Sequence, residues 1–176
     1  MRRWLLAACY IFSSTSAQIG AQVPSHIYDK QADFSRYKTF TWARFVNATA
    51  LGELTEGQLT GTLQVALAAR GLARAQTNTP DVYVAYEIVS TDPKDARTFE
   101  LLLPDGSRQA GTLSLGGAAM PMHQGDLVLD FYDATTKQLV WRSVVANPVN
   151  LDGKPASRQK QLDRAAQKLM KHYPPG

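Results

Sequence analysis

The chain has 176 residues, 44% of them hydrophobic and 19% charged, which fits one globular domain with an adequate core and excludes a disordered chain. Its net charge of +4 falls to +2 once Arg2 and Arg3, the only charged residues before residue 22, are set aside; a nucleic-acid binder would need a larger basic excess. The one cysteine, Cys9, excludes a disulfide framework.

The N-terminus reads MRRWLLAACYIFSSTSAQIGAQ: a basic start, a short apolar run from Trp4 to Phe12, then small and polar residues. That order predicts a secretory signal over residues 1–21, with cleavage after Ala17 or Ala21. The run falls short of the roughly 20 apolar residues that span a bilayer. Leu6-Ala7-Ala8-Cys9 offers a rival, since it resembles the lipobox ahead of a lipidated cysteine. Only eight residues precede Cys9, however, and ordinary cleavage is the favoured reading. The mature domain is then residues 22–176, without cysteine and held by its core alone.

From residue 33 the pattern alternates. Lys38, Phe40 and Trp42 share one face and Tyr37, Thr39 and Thr41 the other, predicting a strand from Tyr37 to Ala43. The period then changes, with Leu59, Leu63, Ala66 and Leu67 at helical spacing. Thr55 and Gln58 read as a capping-box pair and Gly71 as a C-terminal cap, while Gly57 and Gly61 weaken the helix. Residues 80–90 return to period two, apolar on both faces, as a central strand does. Two shorter strands pair about Pro104-Asp105-Gly106. A Gly/Ala/Met-rich stretch, GGAAMPMHQG, lacks periodicity and is expected to be the most mobile interior segment.

Residues 127–142 form a hairpin, with Leu127, Leu129 and Phe131 alternating against Val128, Asp130 and Tyr132. A five-residue turn sets Leu129 opposite Trp141 and Phe131 opposite Leu139, with Asp130 and Arg142 diagonal on the other face as an ion pair. Leu162, Ala165, Ala166, Leu169, Met170 and Tyr173 then make one stripe of a second helix, stopped by Pro174-Pro175. The order predicts an α+β fold: a single domain whose mainly antiparallel sheet carries two amphipathic helices on one face. Thr39, Thr41, Glu87, Asp130 and Arg142 fall to the other face, expected to be solvated.

The pattern resembles the domain of unknown function 4136 (DUF4136) family of bacterial envelope proteins. The likeness lies in Tyr28-Asp29 with Ala32 to Trp42, in Leu67 to Leu72, in Pro80 to Tyr86, in Gly125 to Asp130 with Leu139 to Arg142, and in Tyr173-Pro174-Pro175. It implies export to the Gram-negative envelope, often as a lipoprotein, and a compact α+β domain. It implies no activity, ligand or catalytic residue.

Three constellations of side chains bear on chemistry. Asp126 and Asp130 share a strand face about 13 Å apart at about 3.3 Å per residue, too far to chelate one ion, and Asp133 suits a turn cap. Met120, Met122 and His123 are the soft donor set that suits copper(I), but Met also fills core gaps. His26, His123 and His172 lie far apart in the chain, and neither a G-x-S-x-G elbow nor an H-E-x-x-H helix occurs. The expectation is therefore an exported envelope protein, periplasmic or secreted, serving as a non-catalytic binding or assembly module without a cofactor. Its partners would be an envelope protein or a small ligand, with no nucleic acid, and a membrane only through a lipid anchor on Cys9. The rivals are an enzyme of unrecognised type and a periplasmic copper-binding protein.

Overall fold

The computed structural model describes residues 25–46, 48, 50–89, 98–112, 114–115, 118–120, 122–146, 149–151 and 153–175. The signal segment, with Cys9, Ala17 and Ala21, lies outside the described residues, as do residues 116–117 and 121 of the Gly/Ala/Met-rich stretch. The strands are β1 (His26–Tyr28), β2 (Thr39–Trp42), β3 (Arg44–Phe45), β4 (Ala73–Arg74), β5 (Val82–Ile88), β6 (Thr98–Leu102), β7 (Arg108–Thr112), β8 (Ser114–Leu115), β9 (Ala118–Ala119), β10 (Leu127–Asp133) and β11 (Leu139–Val145). The helices are α1 (Glu53–Ala68) and α2 (Pro155–Leu169).

The main sheet runs β1-β11-β10-β5-β2-β4. Its long central pairings, β11 with β10 and β10 with β5, are antiparallel, as is β1 with β11. The other end is parallel: β2 pairs with both β5 and β4, because α1 crosses over between β2 and β4. The sheet is thus mixed, within the expected α+β domain. A crossover helix leaves β4 running the same way as β2, which hairpin reasoning did not anticipate.

Both helices cover one face. Leu59, Leu63 and Leu67 of α1 and Leu162, Ala165, Ala166 and Leu169 of α2 close over Phe40, Val82, Val84, Leu129, Phe131 and Trp141. They lie parallel: Arg158 Nε donates to Gln58 Oε1 at 2.8 Å and Gln159 Nε2 to Thr62 Oγ1 at 2.7 Å near their starts, and Arg70 reaches the Lys171 carbonyl beyond their ends at 3.3 Å. Helix α1 begins a turn earlier than the predicted capping box. Gly52 is its N-cap, and the Thr55 N–H bonds to the Gly52 carbonyl instead of a side chain. Gly71 does close it, at φ +82°, with Leu72 N–H bonded back to the Leu67 carbonyl at 3.1 Å.

The opposite face is not solvated. A small sheet, β3-β6-β7, packs Phe45, Leu101 and Leu103 onto Tyr83, Ala85, Tyr132 and Leu139, and Met122 packs with Val89 and Val128 beside it. Pairing of β6 with β7 follows the predicted turn, and β3 adds a third strand that no local pattern marks. With this second layer in place, Asp130 and Arg142 are 0% and 1% exposed.

The hairpin register also differs from the sequence reading. Phe131 faces Trp141, Leu129 faces Ser143 and Asp130 stands directly opposite Arg142. The shift comes from a bulge: Tyr132 pairs with Leu139, so Val140 is an extra residue, and both Val140 and Trp141 enter the helix-side core. Lys137, at φ +61°, makes the turn tight enough for Asp133 N–H to bond the Gln138 carbonyl at 2.9 Å.

Candidate functional site

The fold opens a cleft where β2 leaves β5. Their last bond runs from Ala43 N–H to the Val84 carbonyl at 2.9 Å, after which the chain turns away into β3. Farther along, Val89 bonds toward the β10 side through Asp126 and Gly125. Strand alternation therefore points the backbone groups of Tyr86 and Ile88 to the edge that β2 has abandoned. Among the described residues no strand pairs with that edge.

The gap is a cavity of about 320 Å³, walled by β5, the small sheet, the segment after β3 and the first turn of α1. Phe45, Leu51, Ile88 and Leu102 supply apolar surface, and Arg44, Glu56, Tyr86, Glu87 and Arg108 supply polar groups. Arg44 pairs with Glu56 at 3.4 Å, and the Tyr86 hydroxyl donates to the same carboxylate at 3.4 Å. Arg108 pairs with Glu100 at 3.3 Å. Burial, and then the charge of Glu56, push the Tyr86 hydroxyl up to about 12. These long, partly exposed contacts are weak, so an entering ligand can exchange them at small cost.

Glu87 is the distinctive group. Burial raises its carboxyl above the ordinary value, the nearby charge of Asp130 adds to this, and Arg142 opposes it. Among the described residues its carboxyl has neither a hydrogen bond nor an ion pair, although it lines the cleft. It suits a ligand that donates hydrogen bonds, while the two arginines suit an anionic or carbonyl end.

Behind the cleft lies the predicted pair of Asp130 and Arg142. Arg142 holds Asp130 with both ends of its guanidinium, Nε to Oδ1 at 2.7 Å and Nη2 to Oδ2, and the Tyr132 hydroxyl donates to Oδ2 at 2.8 Å. This network is enclosed within the fold. Asp133 caps the hairpin turn through the N–H groups of Thr135 and Thr136, at 2.9 and 2.8 Å, and also takes the Tyr37 hydroxyl at 2.9 Å and the Arg36 guanidinium. Burial works against its charge, but these donors together hold its carboxyl below the usual range. Asp126 accepts from His123 N–H at 2.8 Å.

The soft donors are divided. Met120 and Met122 are buried, Met122 against Val89 and Val128, whereas His123 is exposed. Among the described residues no group of three His, Cys, Asp or Glu forms a cation site. Apart from Glu87, a member of the expected polar face, the polar residues of the cleft carry no signal in the sequence. No local motif marks Arg44, Glu56 and Arg108, because the departure of β2 from β5 brings them together.

The model of the DUF4136 family, described only as a domain of unknown function, matches residues 24–175. The chain belongs to the DUF4136 family. Among solved structures, a DUF4136 family protein from Bacteroides thetaiotaomicron VPI-5482 superimposes with a TM-score of 0.56 at 13% identity, covering 85% of this chain and 94% of that one. A PDZ domain protein from Parabacteroides distasonis ATCC 8503 matches with a TM-score of 0.48 at 11% identity, over 86% of this chain and 35% of its own. A PelC dodecamer from Paraburkholderia phytofirmans gives 0.39 at 7% identity, over 82% and 93%. At these identities the DUF4136 structure speaks to fold alone. No curated protein matches the chain.

Proposed function

We propose that this DUF4136 protein is an exported, non-catalytic binding module of the bacterial envelope, and that the cleft beside β5 is where it holds its ligand or partner. The observation that carries the reading is Glu87, a half-buried carboxyl without a partner among the described residues, facing a cavity that also presents Arg44 and Arg108. Partial burial of a carboxyl that no protein group donates to disfavours its charge, and a ligand that donates to it recovers part of that cost. The basic, apolar and small-residue succession of residues 1–21 supports export, ending in a periplasmic or secreted form or, through Cys9, a lipid-anchored one.

A photo-crosslinking residue at Leu102, on the rim of the cleft, tests the binding role in intact cells. One envelope component should be captured, and Glu87→Gln with Arg108→Glu should abolish the capture. A hydrolase or transferase activity that disappears with Glu87→Gln would overturn the non-catalytic reading. Intact mass of the protein from soluble and membrane fractions tests export: cleavage after Ala17 or Ala21 gives a diffusible chain, acylation at Cys9 a tethered one, and an uncleaved chain contradicts it.

A further inference from the structure

The two helices form an outer layer whose charge and polarity differ from the rest of the molecule. With the turns at their ends, residues 53–71 and 154–172, they contain seven Lys or Arg against three Asp or Glu, one of the seven, Arg158, being buried. The cations gather on α2. Lys160, Arg164 and Lys168 recur every four residues, so they share one face over about 12 Å at ~1.5 Å per residue, and all three are exposed. Lys171 extends the row by a turn, and Arg70 joins it by bonding to the Lys171 carbonyl at 3.3 Å. Among the described residues none of these five side chains pairs with a carboxylate.

Beside this ridge, α1 is uncharged from Gly57 to Ala69. Its outward stripe is Leu54, Gly57, Gly61, Val65 and Ala68, with Leu54 and Val65 65% and 72% exposed. A Cβ built on Gly57 or Gly61 meets nothing within 4 Å, so this stripe is open, and it borders a groove between the helices whose far wall is Gln159, Asp163 and Gln167. An apolar strip alongside a cationic one is the composition that lies in a membrane interface. No helix among the described residues is long and apolar enough to cross a membrane.

We propose that the α1/α2 layer is a lipid-facing surface, which seats the folded domain on anionic phospholipid headgroups without an acyl anchor. The ridge supplies charge complementarity, since a Lys or Arg near an anionic leaflet is attracted within about a Debye length. Leu54 and Val65 reach the headgroup boundary, where burial of apolar surface adds to the attraction. A second copy of the chain is a poorer occupant, because a symmetric contact would bring two cationic ridges together. A soluble polyanion would use the ridge but gain nothing from Leu54 and Val65. The surface is separate from the β5 cleft, and the proposal stands independently of the binding role given to that cleft.

The test uses protein carrying Cys9→Ser, so that acylation contributes nothing, in flotation with vesicles that contain phosphatidylglycerol and with vesicles of phosphatidylcholine alone. Binding should be confined to the anionic vesicles, fall with added salt, and weaken by at least about tenfold in Lys160→Glu/Arg164→Glu/Lys168→Glu. Leu54→Ser/Val65→Ser, with every ridge charge intact, should weaken it several-fold. These residues are exposed, and unchanged urea midpoints confirm that the variants fold. Absence of binding, equal binding by all variants, or loss with the charge variant alone while dextran sulfate competes fully would each overturn a lipid surface, the last in favour of a soluble polyanion.

Discussion

Asp130 and Arg142 oppose each other across β10 and β11 with almost no exposure, and the guanidinium grips both carboxylate oxygens. An ion pair in such a place adds little net stability over a well-packed apolar pair, but breaking it strands a charge. Asp130→Asn should therefore cost about 3–5 kcal/mol in urea unfolding. Asp130→Leu/Arg142→Met should recover most of that loss, and a cost near zero for Asp130→Asn would mean that the pair is solvated. Glu87 makes stability depend on pH. Its folded carboxyl is raised by burial, then by the charge of Asp130, so the fold favours the protonated form. That contribution is fully present below the ordinary glutamate value and is lost as pH rises through the folded value. Glu87→Gln should consequently be more stable than the parent at pH 7, with the gain vanishing near pH 4; urea midpoints at the two values decide it. The lowered carboxyl of Asp133 has the opposite sign, for both proteins alike, and its stability disappears in acid.

Within α1 two glycines separate backbone conformation from packing. Gly61 lies in the helix interior with open space around a built Cβ, so Gly61→Ala should stabilise by about 0.5–1 kcal/mol. Gly71 has equal space but φ +82°, where a side chain clashes with its own backbone, and Gly71→Ala should destabilise by about 1–2 kcal/mol. Thermal unfolding of the two variants should shift in opposite directions; a shared sign would place the helix end elsewhere. Periodicity made this helix and its glycine stop readable, because a stripe of leucines and a left-handed cap are local properties. The hairpin was readable only as a pair of strands. Its register depends on Val140, an extra residue whose side chain joins that of Trp141 on the helix side, and a strictly alternating reading has no place for a bulge. The first turn of α1 is illegible in the sequence for a related reason, since its N-cap, Gly52, has no side chain to mark it.

At the scale of the molecule, the α+β class, the two helices and their common face followed from element order, but the covering of the other face did not. Thr39, Thr41, Glu87, Asp130 and Arg142 read as a solvated polar face until a three-stranded sheet is folded over part of it. The charged members are then understood as paired across strands or turned into a cleft. The candidate site was hidden for the same reason: Arg44 lies on β3, Glu56 on α1, Glu87 on β5 and Arg108 on β7, and only the topology joins them. That topology has an energetic consequence. Leu101 of the small sheet is 1% exposed in a cluster that also contains Tyr83 and Tyr132 of the main sheet, while the same main-sheet strands carry Val84 and Phe131 into the helix-side core. A strand shared by two cores cannot lose one without weakening the other, so both layers should unfold together. Leu101→Ala should cost about 2–5 kcal/mol and lower the midpoint seen by tryptophan fluorescence, which reports Trp42 and Trp141 in the main sheet, by the same amount as that seen by far-ultraviolet circular dichroism. Two separated midpoints would show that the small sheet melts on its own, and the walls of the cleft would then be independent of the β5 edge they enclose.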